Sequence, residues 1–508
     1  MVQMRNWRLL LELDGASGGA SYRDILAGLA RAIRDGRLPP GAPLPGTREM
    51  AAMLGVNRKT VIVAYEEAAI KGWLVTEQRR GTFVNAAFDP VALEEGRDGQ
   101  GRAQARVFAP AFQEVVLPPY LNALPPRGRA QAGRKEPRQG GMMYVDNGSP
   151  DHRLLPQAVL HRHYRSALRD SLRSGGVRYG NLDGAHQLRA ALAGMLGATR
   201  ALATTPANIC LTPGTQMALH LAAAALIRPG DVVLVERLSY PPAWAIFQSL
   251  GARVETVDID VDGCVVQQVE DICRREAIRF IYLTPHHQFP STVSLRADRR
   301  EKLLALAAQY GFSIIEEDYD HEYHFAGRPY PPLASDPRQR SVIYISALSK
   351  LLGSSFRCGF IVAPENLVAA LERHHQLLIS HGDAVMQKML AGLIADGELR
   401  RHVRRSSKHY RARQEVLLDC LQRSFGGRIA TRAPEGGLAL WVTFDDQVDV
   451  DAMARHALEE GLFVRSGSQF SPRGEAINGI RFGFASMAPD ELAQAVARLR
   501  RAWERSRR

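Results

Sequence analysis

Two runs of this chain bring together residue types that can do covalent chemistry. Ser346-Ala-Leu-Ser-Lys350 is followed shortly by Arg357-Cys-Gly359. A lysine that follows a strand in a Ser/Gly-rich loop can be presented while staying partly desolvated. Its amine is then able to condense with a carbonyl as a Schiff base. Ser349 stands beside it, and the planar fork of Arg357 suits a bidentate phosphate clamp. A Ser-x-x-Lys alone is a weak signal; the arginine at a fixed distance sharpens it.

Other runs complete the constellation. Gly214, Thr215 and Gln216 precede an apolar helical stretch, Met217 to Ile227. Backbone amides at such a helix start hold phosphate oxygens, and the Thr215 hydroxyl adds a donor. Glu316-Glu317-Asp318-Tyr319-Asp320 ends an apolar run that reads as a buried strand. Either Glu317 or Asp318 can keep a pyridine nitrogen protonated, and Tyr319 can donate to a phenolate. Thr284-Pro-His-His287-Gln-Phe-Pro290 ends another strand, from which His287 can approach the same oxygen. Ligands in open α/β sheets gather at strand C-termini. An amine, a phosphate cup, an acid for a pyridine nitrogen and a phenolate partner are the four needs of pyridoxal 5'-phosphate (PLP), the cofactor expected here. His286, His287, His321 and His324, with neighbouring carboxylates, are also metal-ligating types. The two strand-end motifs account for the same residues, and no metal is expected.

Positioning these groups requires an α/β framework. Asp231–Glu236, Phe280–Thr284, Phe312–Glu316 and Ser341–Ile345 read as buried strands, with helical patterns such as Arg299–Tyr310 between them. That alternation predicts a mostly parallel sheet covered by helices. Leu438 to Arg501 reads as a small C-terminal α+β subdomain. The expected domains are 1–85, a Pro/Gly-rich flexible linker over 86–142, and 143–508.

The N-terminal piece has different chemistry. Leu26, Leu29, Ala30 and Ile33 repeat at helical spacing up to Gly36. A second short helix runs from Glu49 to Gly55, and Asn57 caps a third that begins at Arg58. Two helices around a Gly-containing turn are a helix-turn-helix, with Arg58, Lys59 and Thr60 where base edges would lie. A hairpin, Trp73–Thr76 with Gly81–Val84, carries Gln78, Arg79 and Arg80 at its tip, where basic side chains reach phosphates or a minor groove.

These residues carry a resemblance. Gly36-Arg-Leu-Pro-Pro-Gly-Ala-Pro-Leu-Pro-Gly-Thr-Arg48, Leu54-Gly-Val-Asn-Arg-Lys-Thr-Val61, Gly72-Trp-Leu-Val75 and Gly81-Thr-Phe-Val84 resemble the winged domain of GntR repressors. The resemblance implies operator contacts from Arg48, Arg58, Arg80 and Gly81. From about 143 to 505 the order of motifs resembles the fold-type I, class I aminotransferases. It implies that Tyr179 reaches the phosphate of a neighbouring subunit, hence a homodimer, and that Arg481 binds a substrate α-carboxylate. Together the halves resemble the MocR/GabR group of GntR-type regulators. The chain departs from that group where Glu317 replaces the usual aspartate, where Thr292 replaces a common glycine, and where Ser239-Tyr240 stands for Pro-Gly-Tyr. Tyr240 falls at the substrate position.

The chain has 508 residues, 45% of them hydrophobic and 23% charged, which suits several globular domains. No apolar run is long enough for a bilayer and no signal peptide is seen, so the expectation is cytoplasmic, without a membrane partner. The five cysteines form no C-x-x-C pair and read as reduced thiols. A formal charge of +12 suits an acidic partner such as DNA. The resulting expectation is a PLP-dependent transcriptional regulator that senses an amine, an amino acid, or PLP itself through Lys350. The rival is a working aminotransferase that carries a DNA-binding domain. All catalytic positions are filled, so the residues do not forbid turnover.

Overall fold

A computed structural model of the chain describes residues 7–12, 20–77, 80–87, 118–123, 141–173, 183–327, 329–336 and 341–506. The chain divides into two compact units, Met1–Val115 and Val116–Arg508.

In the first unit, helices Tyr22–Arg34, Thr47–Leu54 and Arg58–Ile70 precede strands Leu74–Glu77 and Gly81–Val84. Ser21 and Asp24 cap the first helix reciprocally. The second stops at Gly55, whose φ of +65° is the left-handed conformation that glycine adopts without steric cost. Two residues later Asn57 accepts from the Lys59 amide at 2.8 Å and starts the third helix. Leu29, Ile33, Met50, Leu54, Val61 and Tyr65 meet in one core. A third strand absent from the sequence reading, Pro43–Leu44, pairs antiparallel with Gly81–Val84. It lies at the sheet edge, the place where a proline without an N–H is tolerated.

In the second unit a seven-stranded sheet runs in the spatial order Ile209–Thr212, Gly359–Val362, Val342–Ala347, Ser313–Glu317, Ile278–Leu283, Val232–Glu236, Arg253–Val257. Gly359–Val362 is antiparallel to both neighbours and the other pairings are parallel. Phe280 and Tyr282 join one buried cluster while Ile281 and Leu283 join another. Both faces are therefore covered, which is why these strands read as continuous apolar runs. The small subdomain is an antiparallel sheet, Ile429–Thr431, Ala439–Phe444 and Gly479–Gly483, with helices Glu398–Phe425, Val450–Glu459 and Pro489–Glu504. Among the described residues no helix is long and apolar enough to cross a membrane.

Of the expected linker, 88–117 and 124–140 lie outside the described residues. Pro119–Ala123 forms a 3-10 turn against helix Pro241–Ser249, so this piece is ordered. Pro118-Pro119, read as linker, opens this turn.

Thr292 has a φ of +66°, which a β-branched residue adopts only under strain. Its amide donates to the Gln288 carbonyl at 2.6 Å, which closes the turn that imposes the conformation. Thr292→Gly is expected to stabilise the chain by about 1 kcal/mol, read as a raised thermal midpoint. An unchanged or lower midpoint would show that strain at this turn is not limiting.

Candidate functional site

Five strand ends and one incoming loop build a cavity of about 200 Å³. Its wall includes Thr215, Tyr240, Glu317, Tyr319, Ser349 and Lys350, together with Asn147. Lys350 lies in the short helix Ser349–Leu352 that follows strand Val342–Ala347. Its Nζ donates to the Gly148 carbonyl at 2.6 Å and to the Asn147 carbonyl at 3.4 Å. Burial lowers its pKa, Arg481 lowers it further, and Asp146 opposes. The amine is thus tilted toward its neutral, nucleophilic form.

At the helix-start end of the cavity, Gly214 (φ +99°) is the N-cap of helix Thr215–Leu226 and offers no side-chain cap. A Cβ there would come within 3.2 Å of the Arg357 guanidinium and would also be strained by the positive φ, so glycine is the residue that suits this helix start. Arg357 is exposed and donates to the Pro213 carbonyl at 2.6 Å. Gln216 donates to the Tyr240 hydroxyl at 3.2 Å. Burial pushes the Tyr240 hydroxyl up to about 12, with Glu317 adding to the shift.

The acidic run splits by strand parity. Glu317 faces the cavity and accepts from the Tyr282 hydroxyl at 2.6 Å. Burial pushes its pKa up to about 7, against the opposing pull of Tyr282, Thr215 and Lys350. Glu316 points elsewhere and accepts from the amides of Leu333 and Ala334. Asp318 turns away from the cavity to Tyr344 and His321, at 2.9 and 2.8 Å. Burial would raise it, but His321, His286 and Arg200 outweigh that and hold it well below the usual range. Of the two acids left open by the sequence, Glu317 alone lines the cavity.

His287 is also displaced from its expected role. Its ring is buried, with Nδ1 2.7 Å from Asp320. Only its carbonyl reaches toward the site, accepting from the Tyr319 hydroxyl at 2.7 Å. A buried carboxylate captures the imidazole, so the ring is absent from the cavity wall.

Arg481 lies on strand Gly479–Gly483 and is 2% exposed. Its hydrogen bonds go to the Pro290 carbonyl (2.8 Å), the Tyr319 hydroxyl (3.3 Å) and the Asn147 carbonyl (3.5 Å), all neutral. Lys350 and Arg481 therefore share Asn147 and flank the Tyr319 ring, at 5.8 and 5.9 Å from its centroid. The sequence reading missed Asn147 and Tyr282. Asn147 comes from a loop far upstream, and its only local cue is an Asn-Gly-Ser turn. Tyr282 was read as strand core, with no sign that its hydroxyl meets a carboxylate. Tyr179 lies outside the described residues. The amine, the acid and the arginine-flanked helix start fit a phosphorylated pyridine aldehyde, which needs those three groups around one small cavity.

In the first unit, Arg48, Arg58, Lys59, Arg80 and Gly81 are exposed and Thr60 is half-buried. Arg58 donates to the Thr47 hydroxyl at 3.3 Å, which ties the third helix to the start of the second, next to Arg48. Arg80 pairs with Glu77 at 2.6 Å. Arg79 lies outside the described residues.

Comparison with known proteins agrees with both halves. Residues 21–84 match the family described as bacterial regulatory proteins, gntR family, and residues 149–499 match aminotransferase class I and II. The probable rhizopine catabolism regulatory protein MocR of Rhizobium meliloti is 28% identical over 97% of this chain and 96% of its own. The HTH-type transcriptional regulator TauR of Rhodobacter capsulatus is 30% identical over 96% of this chain and 97% of its own. The α-aminoadipate aminotransferase LysN of Thermus thermophilus, solved with N-(5'-phosphopyridoxyl)-L-leucine, superposes with a TM-score of 0.66 at 27% identity, over 72% of this chain and 92% of LysN. The chain belongs to the MocR-type GntR transcriptional regulators, PLP-dependent proteins in which a winged helix-turn-helix is joined to a domain of the aminotransferase class I and II family.

Proposed function

We propose that this regulator senses an α-amino acid at the Lys350–Arg481 cavity and converts its binding into a change in operator affinity. The observation that carries the reading is Arg481. A buried guanidinium whose partners are all neutral is a charge awaiting an anion, since burying an unpaired charge is costly. An amine-binding lysine beside it makes the pair complementary to an α-amino carboxylate. When bound, PLP supplies an electrophilic carbon that bonds reversibly to amines.

The chain's own residues have separable roles in this reading. Lys350 provides the amine that holds the cofactor. Glu317 faces the pyridine nitrogen, Tyr319 the phenolate. Gly214, Thr215, Gln216, Ser349 and Arg357 hold the phosphate. Tyr240 and Arg481 receive the effector. His287 positions Tyr319 through its backbone carbonyl. Arg48, Arg58, Lys59, Thr60 and the wing at Arg79–Gly81 contact the operator. The working unit is a cytoplasmic homodimer. Helix Gln157–Arg173 supports it with an exposed stripe, Tyr164, Leu168 and Leu172, at helical spacing, the kind of apolar face a second copy would cover. The segment between the units serves as a tether. The full-length relatives carry regulator names, and the reading of a working aminotransferase is not favoured.

The test is a panel of α-amino acids and matching carboxylate-free amines, with visible absorption and operator affinity followed on one sample. At least one amino acid is expected to shift both signals, and its decarboxylated analogue to act far more weakly. In Arg58→Ala the spectral response persists while operator affinity falls about tenfold or more, the 1–3 kcal/mol of a base-reading arginine. A panel that shifts neither signal, or amines that match the amino acids, would sink the proposal.

A further inference from the structure

We propose that His286, His287 and His324 form a binding site for a divalent transition metal of the zinc class, behind the cofactor cavity and separate from it. Their ligand nitrogens lie within 4.8 Å of one another. The rings come from two strand-end loops. His286 and His287 follow strand Ile278–Leu283, and His324 follows strand Ser313–Glu317. Neither loop motif needs these imidazoles for the cofactor, because their rings do not line its cavity.

The polar accounting of the cluster points to a ligand. His286 is 4% exposed, and neither of its ring nitrogens has a hydrogen-bond partner among the described residues. The same holds for both nitrogens of His324 and for Nε2 of His287. Leaving one such buried group unmatched is costly, and here five nitrogens converge. A cation that accepts three lone pairs satisfies one nitrogen of each ring at once. Imidazole ligands suit zinc, copper, iron and nickel.

His287 already has the surroundings of a metal-bound histidine. Asp320 holds its Nδ1 at 2.7 Å, fixing the tautomer that leaves the Nε2 lone pair free to coordinate. Ring centroids stand 4.2, 5.8 and 6.3 Å apart. Tetrahedral bonds of about 2.0–2.1 Å would set the nitrogens about 3.3 Å apart. Rotation of His286 and His324, which no side-chain hydrogen bond restrains, supplies that contraction.

Metal entry and consequence also have a structural basis. His321 and His324 line a second cavity of about 690 Å³, which borders the cluster at His324. His324 forms a bridge with Gly436, and a Cβ at Gly436 would stand 2.9 Å from His287 Nε2. The site therefore abuts the turn that enters strand Ala439–Phe444 of the small subdomain. A bound metal would clamp both strand-end loops under that turn and so restrain the subdomain that carries Arg481.

The experiment uses the untagged full-length chain, stripped with chelator and then dialysed against Zn²⁺ or Co²⁺. Metal per chain is counted by elemental analysis, and affinity is measured by competition with a chromophoric chelator. The wild type is expected to retain one ion per chain. His324→Ala and His286→Ala lose that ion. Asp320→Asn, close in shape and so least disturbing to the fold, weakens it about 10–100-fold, the usual cost of losing such an orienting partner. The visible absorption of the cofactor stays at wild-type strength in His324→Ala, whose ring does not line the cofactor cavity, which separates this site from the proposed sensing site. No retained metal in the wild type would overturn the proposal. So would equal retention by folded His324→Ala and Asp320→Asn chains.

Discussion

Lys350→Ala is expected to give a colourless chain whose operator affinity no longer responds to amino acids. The lysine amine is enclosed, held by the Gly148 and Asn147 carbonyls, and biased by burial toward its neutral form. These features serve reversible bonding to an aldehyde and have little value in a structural lysine. Alanine removes the covalent hold and leaves the proposed phosphate site at Gly214, Thr215 and Arg357, so the cofactor would bind only non-covalently. A loss of about 100-fold in cofactor affinity corresponds to about 2.7 kcal/mol. Lys350→Arg separates charge from reactivity. It keeps a cation at the site but cannot form the bond, and is expected to behave like the alanine chain. DNA affinity without effector should stay near wild type in both, because the residues that match the gntR family lie in the other compact unit. A yellow Lys350→Ala chain that still responds to amino acids would place the reactive amine elsewhere.

The motifs that were legible share a physical cause. Lys350, Thr215 and Arg357 sit where a strand end or a helix start dictates local conformation, so residue type and spacing carry the information. The winged domain was legible for a similar reason. Its caps, Ser21, Gly55 and Asn57, are short-range signals. Face assignment was not legible at the acidic run. Which of Glu317 and Asp318 looks into the cavity depends on strand register and on what waits behind, here Tyr344 and His321, remote in sequence. His287 failed as a phenolate partner for the same reason, since Asp320 claims its ring. Asn147 and the edge strand Pro43–Leu44 carried no pattern strong enough to read. The histidine cluster was legible as residue types, but its convergence required two separate loops to meet.

Glu317 carries the prediction with the clearest pH signature. Its carboxyl is buried, and its folded pKa of about 7 lies above the ordinary 4.5. Folding therefore binds a proton between those two values. The cost of ionising the buried group appears as pH rises through that window and is complete above the folded pKa. Glu317→Gln removes the cost. Other buried groups titrate in both chains and cancel in the comparison. The cofactor-free Glu317→Gln chain is thus expected to gain on cofactor-free wild type as pH rises from 5 to 8, by up to about 3 kcal/mol. Paired denaturation curves at several pH values measure it. Loading PLP should flatten the wild-type profile, because a pyridine nitrogen held at Glu317, as proposed, would favour the ionised carboxylate. In the loaded state the order reverses: glutamine cannot hold that nitrogen protonated, so Glu317→Gln binds PLP more weakly and responds less to amino acids. Parallel profiles for the two cofactor-free chains would mean that Glu317 is not strained by burial. An unaltered PLP response would assign the acid elsewhere, with Asp318, the other acid the sequence left open, next in line and a rearranged loop the requirement.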